Sequence, residues 1–383
     1  MKIARYNSLQ LDEKLAIWVR RMMGYPEEFP LSGYLAGKPR GGIFVENLET
    51  EWAAMFDVKH AIACNSATSG LLAASFAVGL GPGDTFVCPA MTMSATAAAP
   101  MFTGAEPYFC DVSDEDFGLE PEPMPDNTKA VFTTNLFGHA SEMACNEFYV
   151  GKGPHCAFLI EDNAQSPFAV AHNGRYAGTN GTIGVFSLNV HKHLQCGEGG
   201  MIVTADDKLA KRLRDFVNHG EHGGGAIGLN LRMPELCAAV ALSQLRHGKE
   251  LVQSRVNQAE AIIAAIGDIP GLRMPVVRPG CTHVYYVIPF LVGSASARAA
   301  FCGTLLDLGV PIVIGYQDPL YRLPAFARYA RPCPVAEDLQ DSRLFYFENC
   351  AWNPTPEQIK AIGEAFRKAA EEVHLDAETS HHL

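Results

Sequence analysis

From residue 60 onward the chain alternates short apolar runs with longer stretches whose apolar positions recur every three or four residues. The short runs, Ala61–Cys64, Thr85–Cys88, Pro107–Cys110, Ala130–Thr134, Ala157–Ile160, Val185–Leu188 and Met201–Thr204, have the length and continuous hydrophobicity of buried strands. Between and after them, helical spacing predicts helices at Thr68–Val78, Met93–Phe102, Asp207–Val217, Pro234–Leu245 and Leu251–Ile266. Two more helices are expected upstream, at Leu11–Met23 and Glu46–Phe56, with Leu48, Trp52 and Phe56 on one face of the second. A Pro- and Gly-rich loop from Pro26 to Gly42 separates them.

This alternation predicts an α/β fold, a large domain with a mostly parallel sheet and helices on both faces. After Gly271 the pattern changes: His283–Val292 alternates, Ala297–Leu308 is helical, and Thr355–Val373 is a long amphipathic helix. Residues 1–250 therefore read as N-terminal helices plus the large domain, and 251–383 as a smaller C-terminal α+β domain. A length of 383 residues suits such a division.

A net charge of −12 argues against broad binding to nucleic acid or anionic membranes, though local groups can still hold a small anion. The N-terminus lacks the apolar core of a signal peptide. No apolar run reaches the length of a membrane span, and the longest candidate, Cys88–Phe102, reads as a buried helix. Eleven cysteines occur singly, several inside apolar runs such as Cys64, Cys88 and Cys110, where a thiol acts as a small hydrophobe. The odd count points to a reducing, cytoplasmic setting. A zinc site from His191, His193 and Cys196 is disfavoured because the paired-ligand spacing is missing, so no metal is expected.

In open α/β sheets ligands collect beyond the carboxyl ends of the strands, and four unusual segments fall at such ends. Asn65-Ser66-Ala67-Thr68-Ser69-Gly70 joins a strand to a helix; its small polar residues leave amides suited to a phosphate at a helix start. Glu161-Asp162-Asn163-Ala164-Gln165 places a carboxylate after a central strand. Phe186-Ser187-Leu188-Asn189-Val190-His191-Lys192-His193-Leu194 runs into Gly197-Glu198-Gly199-Gly200. A lysine among apolar and neutral groups has a depressed pKa and a nucleophilic amine. Gly228-Leu229-Asn230-Leu231-Arg232-Met233 offers an amide and a guanidinium to anions.

Taken singly, each has a plain reading: a helix cap, a loop-capping carboxylate, a lysine reaching solvent. Neither nucleotide signature, Gly-x-x-x-x-Gly-Lys-Ser/Thr or a post-strand Gly-x-Gly-x-x-Gly, is present. In combination the segments supply what pyridoxal phosphate needs: a phosphate seat, a partner for a ring nitrogen, and a Schiff-base lysine.

With these motifs the sequence resembles the DegT/DnrJ/EryC1/StrS family of sugar aminotransferases, clearly from about His60 to Leu245 and more loosely through His283–Tyr321. The resemblance implies fold type I, the aspartate aminotransferase-like architecture. It implies that Lys192 carries pyridoxal 5'-phosphate as a Schiff base and then shuttles a proton, with pyridoxamine phosphate formed in turn. Asp162 would pair with the pyridine nitrogen and Gln165 approach the phenolic oxygen. Ala67, Thr68 and Ser187 would hold the phosphate, with Asn230 reaching it in the neighbouring subunit of a homodimer. Met93 stands where the family often has an aromatic ring over the cofactor; its thioether can still lie on a π-face.

The implied reaction moves an amino group from an amino acid, L-glutamate by family habit, to the keto group of a nucleotide-linked sugar. The setting would be polysaccharide or antibiotic-sugar synthesis. Two related alternatives are a pyridoxamine-dependent sugar dehydratase and an aminocyclitol aminotransferase using glutamine. In the dehydratase branches histidine replaces the lysine, whereas here Lys192 is present and His191 and His193 flank it. A non-catalytic regulator would be expected to lack Lys192 or Asp162. Candidate substrate contacts are Arg40, Arg232 and Tyr316, each equally readable as structural or solvated.

Overall fold

The computed structural model describes residues 4–5, 41–141, 157–220 and 227–375. The expected helix at Leu11–Met23, most of the loop up to Gly42, and Arg40 lie outside the described residues.

Among the described residues, seven strands form the main sheet: β2 (His60–Cys64), β3 (Thr85–Pro89), β4 (Glu106–Cys110), β5 (Thr128–Thr134), β6 (Phe158–Asp162), β7 (Ile183–Ser187) and β8 (Gly200–Thr204). They follow a two-residue strand, β1 (Ala4–Arg5). Their order across the sheet is β2-β8-β7-β6-β5-β3-β4. Only β8 runs against its neighbours, so the carboxyl ends of the other six share one edge.

Successive side chains along a strand point to opposite faces, and here both faces are buried. Ile62, Cys64, Val185 and Ile202 enter one apolar cluster. Ala61, Ala63, Phe186, Met201 and Val203 enter the other. Helices α2 (Ala67–Ala77) and α4 (Asp207–Val217) cover the first face; α1 (Ile43–Met55) and α5 (Glu235–Arg246) cover the second.

The expectation of one buried helix over Cys88–Phe102 fails. Cys88 and Pro89 complete β3, and α3 occupies only Ala95–Met101. A continuous apolar run carries no period to separate strand from helix, and the turn at Ala90–Ser94 splits this one.

A second sheet of three antiparallel strands has the order β10 (Ile312–Ile314), β11 (Leu344–Phe347), β9 (Ile288–Leu291). It packs with α6 (Gly248–Ile266), α7 (Ala295–Asp307) and α9 (Pro356–Val373) around Phe290, Phe301, Phe345 and Phe366. A short helix, α8 (Pro334–Asp338), precedes β11, and β12 (Trp352–Asn353) pairs with β1. Of the alternating stretch 283–292, only Ile288–Leu291 is a strand. Tyr285 is left-handed at φ 50° and interrupts the extended backbone.

Candidate active site

A cavity of about 530 Å³ opens at the shared edge of the main sheet. Its wall includes Ser66, Ala67, Thr68, Met93, Asp162, Gln165, Ser187, Lys192 and Tyr316, so residues from three of the four motifs meet there. The opposite wall comes from the second sheet and its flanks: Tyr286, Tyr346, Glu348 and Cys350.

At α2, Ser66 caps the helix by accepting from the Ser69 amide at 3.1 Å. The Gly70 amide donates to the Ser66 carbonyl and begins the helical ladder, so the amides of Ala67 and Thr68 precede it at the cavity wall. Such a helix start favours an anion. Close by, an ideal Cβ on Gly200 would stand 2.7 Å from the Ala67 nitrogen and 2.6 Å from the Ser66 carbonyl carbon. A side chain there would push the helix start away from the strand.

Strand alternation separates the two carboxylates that end β6. Glu161 points away from the cavity and accepts the amides of Gly178, Asn180 and Gly181 at 2.6–2.7 Å, which ties down the loop before β7. Asp162 points into the cavity. Its Oδ1 accepts the Ala164 amide at 3.2 Å and its Oδ2 the Thr96 hydroxyl at 2.8 Å. Because Thr96 has one proton and gives it to Asp162, Thr92 must donate to Thr96 and Thr134 to Thr92. This relay of hydroxyls was not visible in the sequence. Burial raises the pKa of Asp162; the Thr96 hydroxyl, the Ala164 amide and the Lys192 charge oppose the rise.

Lys192 follows β7 in a tight loop that β8 closes, where the Leu188 amide donates to the Gly199 carbonyl at 2.9 Å. Burial pulls its amine down to about 8, against the opposing pull of Asp162. At that value about a tenth is free base at pH 7, against well under a thousandth for an ordinary lysine. Its Nζ lies 4.3 Å from the centre of the Tyr286 ring. The neighbouring His193 is turned into the protein, with Nε2 2.8 Å from the Val284 carbonyl. His191 is exposed at the cavity rim, and Cys196 Sγ donates to the Glu198 carbonyl. No group of three His, Cys, Asp or Glu able to hold a metal is present among the described residues.

Gln165 is fixed at both ends: Oε1 accepts the Phe137 amide at 2.7 Å, and Nε2 donates to the Tyr316 hydroxyl at 3.1 Å. The Asn189 amide donates to Ser187 Oγ at 3.3 Å, and Met93 is exposed at the mouth. Asn230 is exposed and Arg232 donates to Asn218 Oδ1 at 2.8 Å; neither lines the cavity of its own chain.

Known proteins match this arrangement. The chain is 33% identical over 307 residues to a UDP-N-acetyl-3-dehydro-alpha-D-glucosamine 3-aminotransferase of Acidithiobacillus ferrooxidans, covering 78% of this chain and 81% of that protein. It is 31% identical to the dTDP-3-amino-3,4,6-trideoxy-alpha-D-glucose transaminase of Streptomyces venezuelae, over 75% of this chain and 76% of that one. The crystal structure of S. venezuelae DesV in complex with a ketimine intermediate superposes with a TM-score of 0.82 at 27% identity, covering 94% of each chain. An aminotransferase from Psychrobacter cryohalolentis gives 0.83 at 25% identity, covering 97% of this chain and 100% of the other. These likenesses bear out the fold type I architecture. The model of the DegT/DnrJ/EryC1/StrS aminotransferase family matches residues 36–367, and the chain belongs to that family.

Proposed function

We propose that this aminotransferase uses pyridoxal 5'-phosphate to move an amino group from an amino acid, L-glutamate in the first instance, to the keto group of a nucleotide-linked sugar. The observation that carries the reading is the meeting, in one cavity, of a near-neutral lysine amine, a buried carboxylate and an exposed helix start. The sugar acceptor is supported by the nucleotide-sugar relatives.

The residues present fit the cofactor. The amides of Ala67 and Thr68, with the Ser187 hydroxyl, would hold its phosphate. Asp162 would hold a proton on its ring nitrogen, and the donors from Thr96 and Ala164 fix the carboxylate's orientation. Gln165 would approach the phenolic oxygen through its cavity-facing amide. When bound, the group supplies an electron sink for the charge that develops at the donor's Cα. Lys192 would hold the cofactor covalently, and its amine, when free, would move the proton at the donor's Cα. Met93 would lie against the ring at the mouth, and Tyr316, joined to Gln165, would border the substrate. A dehydratase is less well supported, because Lys192 occupies the wall while His193 faces the protein interior.

The active unit in this reading is a homodimer, with Asn230 reaching the phosphate of the neighbouring site. Support comes from apolar side chains exposed at Ile43, Val190, Ile227, Leu229 and Leu236, on segments near Asn230, the lysine loop and the starts of α1 and α5. The reading also places the border of the smaller domain near residue 250, where α6 passes from one apolar cluster to the next. Its setting is the cytoplasm, supported by Cys64, Cys88 and Cys110, which fill the core as thiols. Among the described residues no helix is long and apolar enough to cross a membrane.

The test is an absorbance spectrum of the protein loaded with pyridoxal phosphate, before and after L-glutamate. A visible band that glutamate converts to the near-ultraviolet supports the first half-reaction; a band that glutamine alone converts would replace the donor. Lys192→Ala should lose both the band and turnover. Full activity in that variant would sink the assignment.

A further inference from the structure

Tyr286 is close to Lys192, yet no motif announces it. Its ring forms part of the cavity wall and presents its face to the lysine, 4.3 Å from Nζ. An ammonium over an aromatic face is drawn to the ring's negative quadrupole, and more strongly where water is excluded.

The backbone around this tyrosine is held with unusual care. Tyr285, immediately before it, is left-handed at φ 50°, and so is Phe137 at φ 60° in the loop it packs against. Non-glycine residues rarely adopt this conformation without surrounding contacts that enforce it. Those contacts are visible. The Val284 amide donates to the Gly138 carbonyl at 2.8 Å and the Val287 amide to the Phe137 carbonyl at 3.3 Å. A Cβ on Gly138, itself at φ 115°, would fall 2.6 Å from the Tyr285 nitrogen and 2.8 Å from that of Tyr286. On the far side, the Cys350 amide donates to the Tyr286 carbonyl at 3.2 Å. Gln165 fixes the same loop through the Phe137 amide, so one residue of the site also braces the segment that carries the ring.

We infer that Tyr286 is a positioning residue for Lys192: its ring face seats the lysine's ammonium whenever the amine is released and protonated. This deepens the aminotransferase reading and rests on it. The logic is chemical. A lysine that ferries a proton must hold it briefly and then surrender it. A carboxylate at the same place would hold the ammonium as an ion pair and compete for its proton, whereas a ring face attracts the charge and has no lone pair to accept the proton. The phenol does not confuse matters, since burial drives its pKa far above the usual range and keeps it neutral. The other titratable groups that act on Lys192 are Asp162 and Cys350; His193, beside it in sequence, feels its charge. Asp162 is already committed to Thr96 and Ala164, and the buried Cys350 thiol is pushed up to about 12.

The experiment titrates Lys192 in the cofactor-free protein, by competitive acetylation across pH and mass spectrometry of the Lys192 peptide. Phenylalanine analogues with zero, one, two and three ring fluorines replace Tyr286; they keep shape and burial while draining the ring's quadrupole. Tyr286→Phe should leave the midpoint in place, and successive fluorines should lower it stepwise, by about one pH unit in all. A flat series, which would mean that the ring only excludes water, overturns the inference, and so does a rise. In the loaded enzyme, the trifluoro variant should shift the pH profile of kcat relative to Tyr286→Phe, with little change in KM. The titration needs neither cofactor nor substrate. Its failure is therefore distinct from failure of the aminotransferase reading, which the Lys192→Ala test decides.

Discussion

Two adjacent acids do opposite jobs at the end of β6, and only the geometry tells them apart. Glu161 and Asp162 are equally plausible as letters in a motif; the pleat sends one under the sheet and the other into the cavity. The sequence could nominate Asp162 by resemblance, but it held no sign of the threonines that support it. Thr134 comes from β5, while Thr92 and Thr96 come from the turn and helix after β3, so their relay exists only once those strands pair. It has a measurable consequence. Thr96 lowers the pKa of a carboxylate that burial raises, so Thr96→Val should raise that pKa further. On the assigned role of Asp162, the acid limb of the rate–pH profile should move to higher pH, with kcat at neutral pH falling up to about tenfold. An unmoved acid limb would mean that the carboxylate's charge does not control the rate.

Among elements, the buried parallel strands were the most legible because each is a short apolar run bounded by turn residues, and helix α4 matches its expected span, Asp207–Val217. The second sheet was not. Leu344–Phe347 is four consecutive apolar residues with no polar position among them to set a period, and Ile312–Ile314 is shorter still. The 283–287 segment misled for another reason: its alternation is genuine, but tertiary contacts hold Tyr285 left-handed. Gly200, which ends the Gly-rich run after the lysine segment, lies inside β8 and is there for clearance. Gly200→Ala should cost about 1–3 kcal/mol of stability, since backbone atoms of Ser66 and Ala67 block the methyl. It should also weaken phosphate binding by displacing the helix start. Urea unfolding and a pyridoxal phosphate titration would check this; wild-type values in both would show that the strand and helix can separate without loss.

At the scale of the molecule, three histidines are buried near one another behind the lysine. His139 and His283 pair across an isolated bridge with rings 5.6 Å apart, and His193 bonds to the Val284 carbonyl next to His283. Burial lowers all three pKa values, that of His193 to about 4. In the unfolded chain they protonate below their ordinary 6.5, so the unfolded state binds the extra protons between those values. Stability should therefore be complete above pH 6.5 and decline as pH falls toward 4, by on the order of 3 kcal/mol for His193 alone. Urea midpoints at pH 7 and pH 5 measure the fall, and His193→Gln should flatten part of it. A variant that loses stability with acid as steeply as the parent would remove His193 from the account.

The cavity described above takes its first wall from residues near 66 and its last from residues near 350. During synthesis the lysine and its carboxylate leave the ribosome long before Tyr346, Glu348 and Cys350 do. Until they do, the reactive amine lacks the part of the opposite wall that these three residues supply. A chain arrested just before β11 should therefore fail to retain the cofactor however long it is given, because the cavity is complete only once Cys350 and Ala351 are in place.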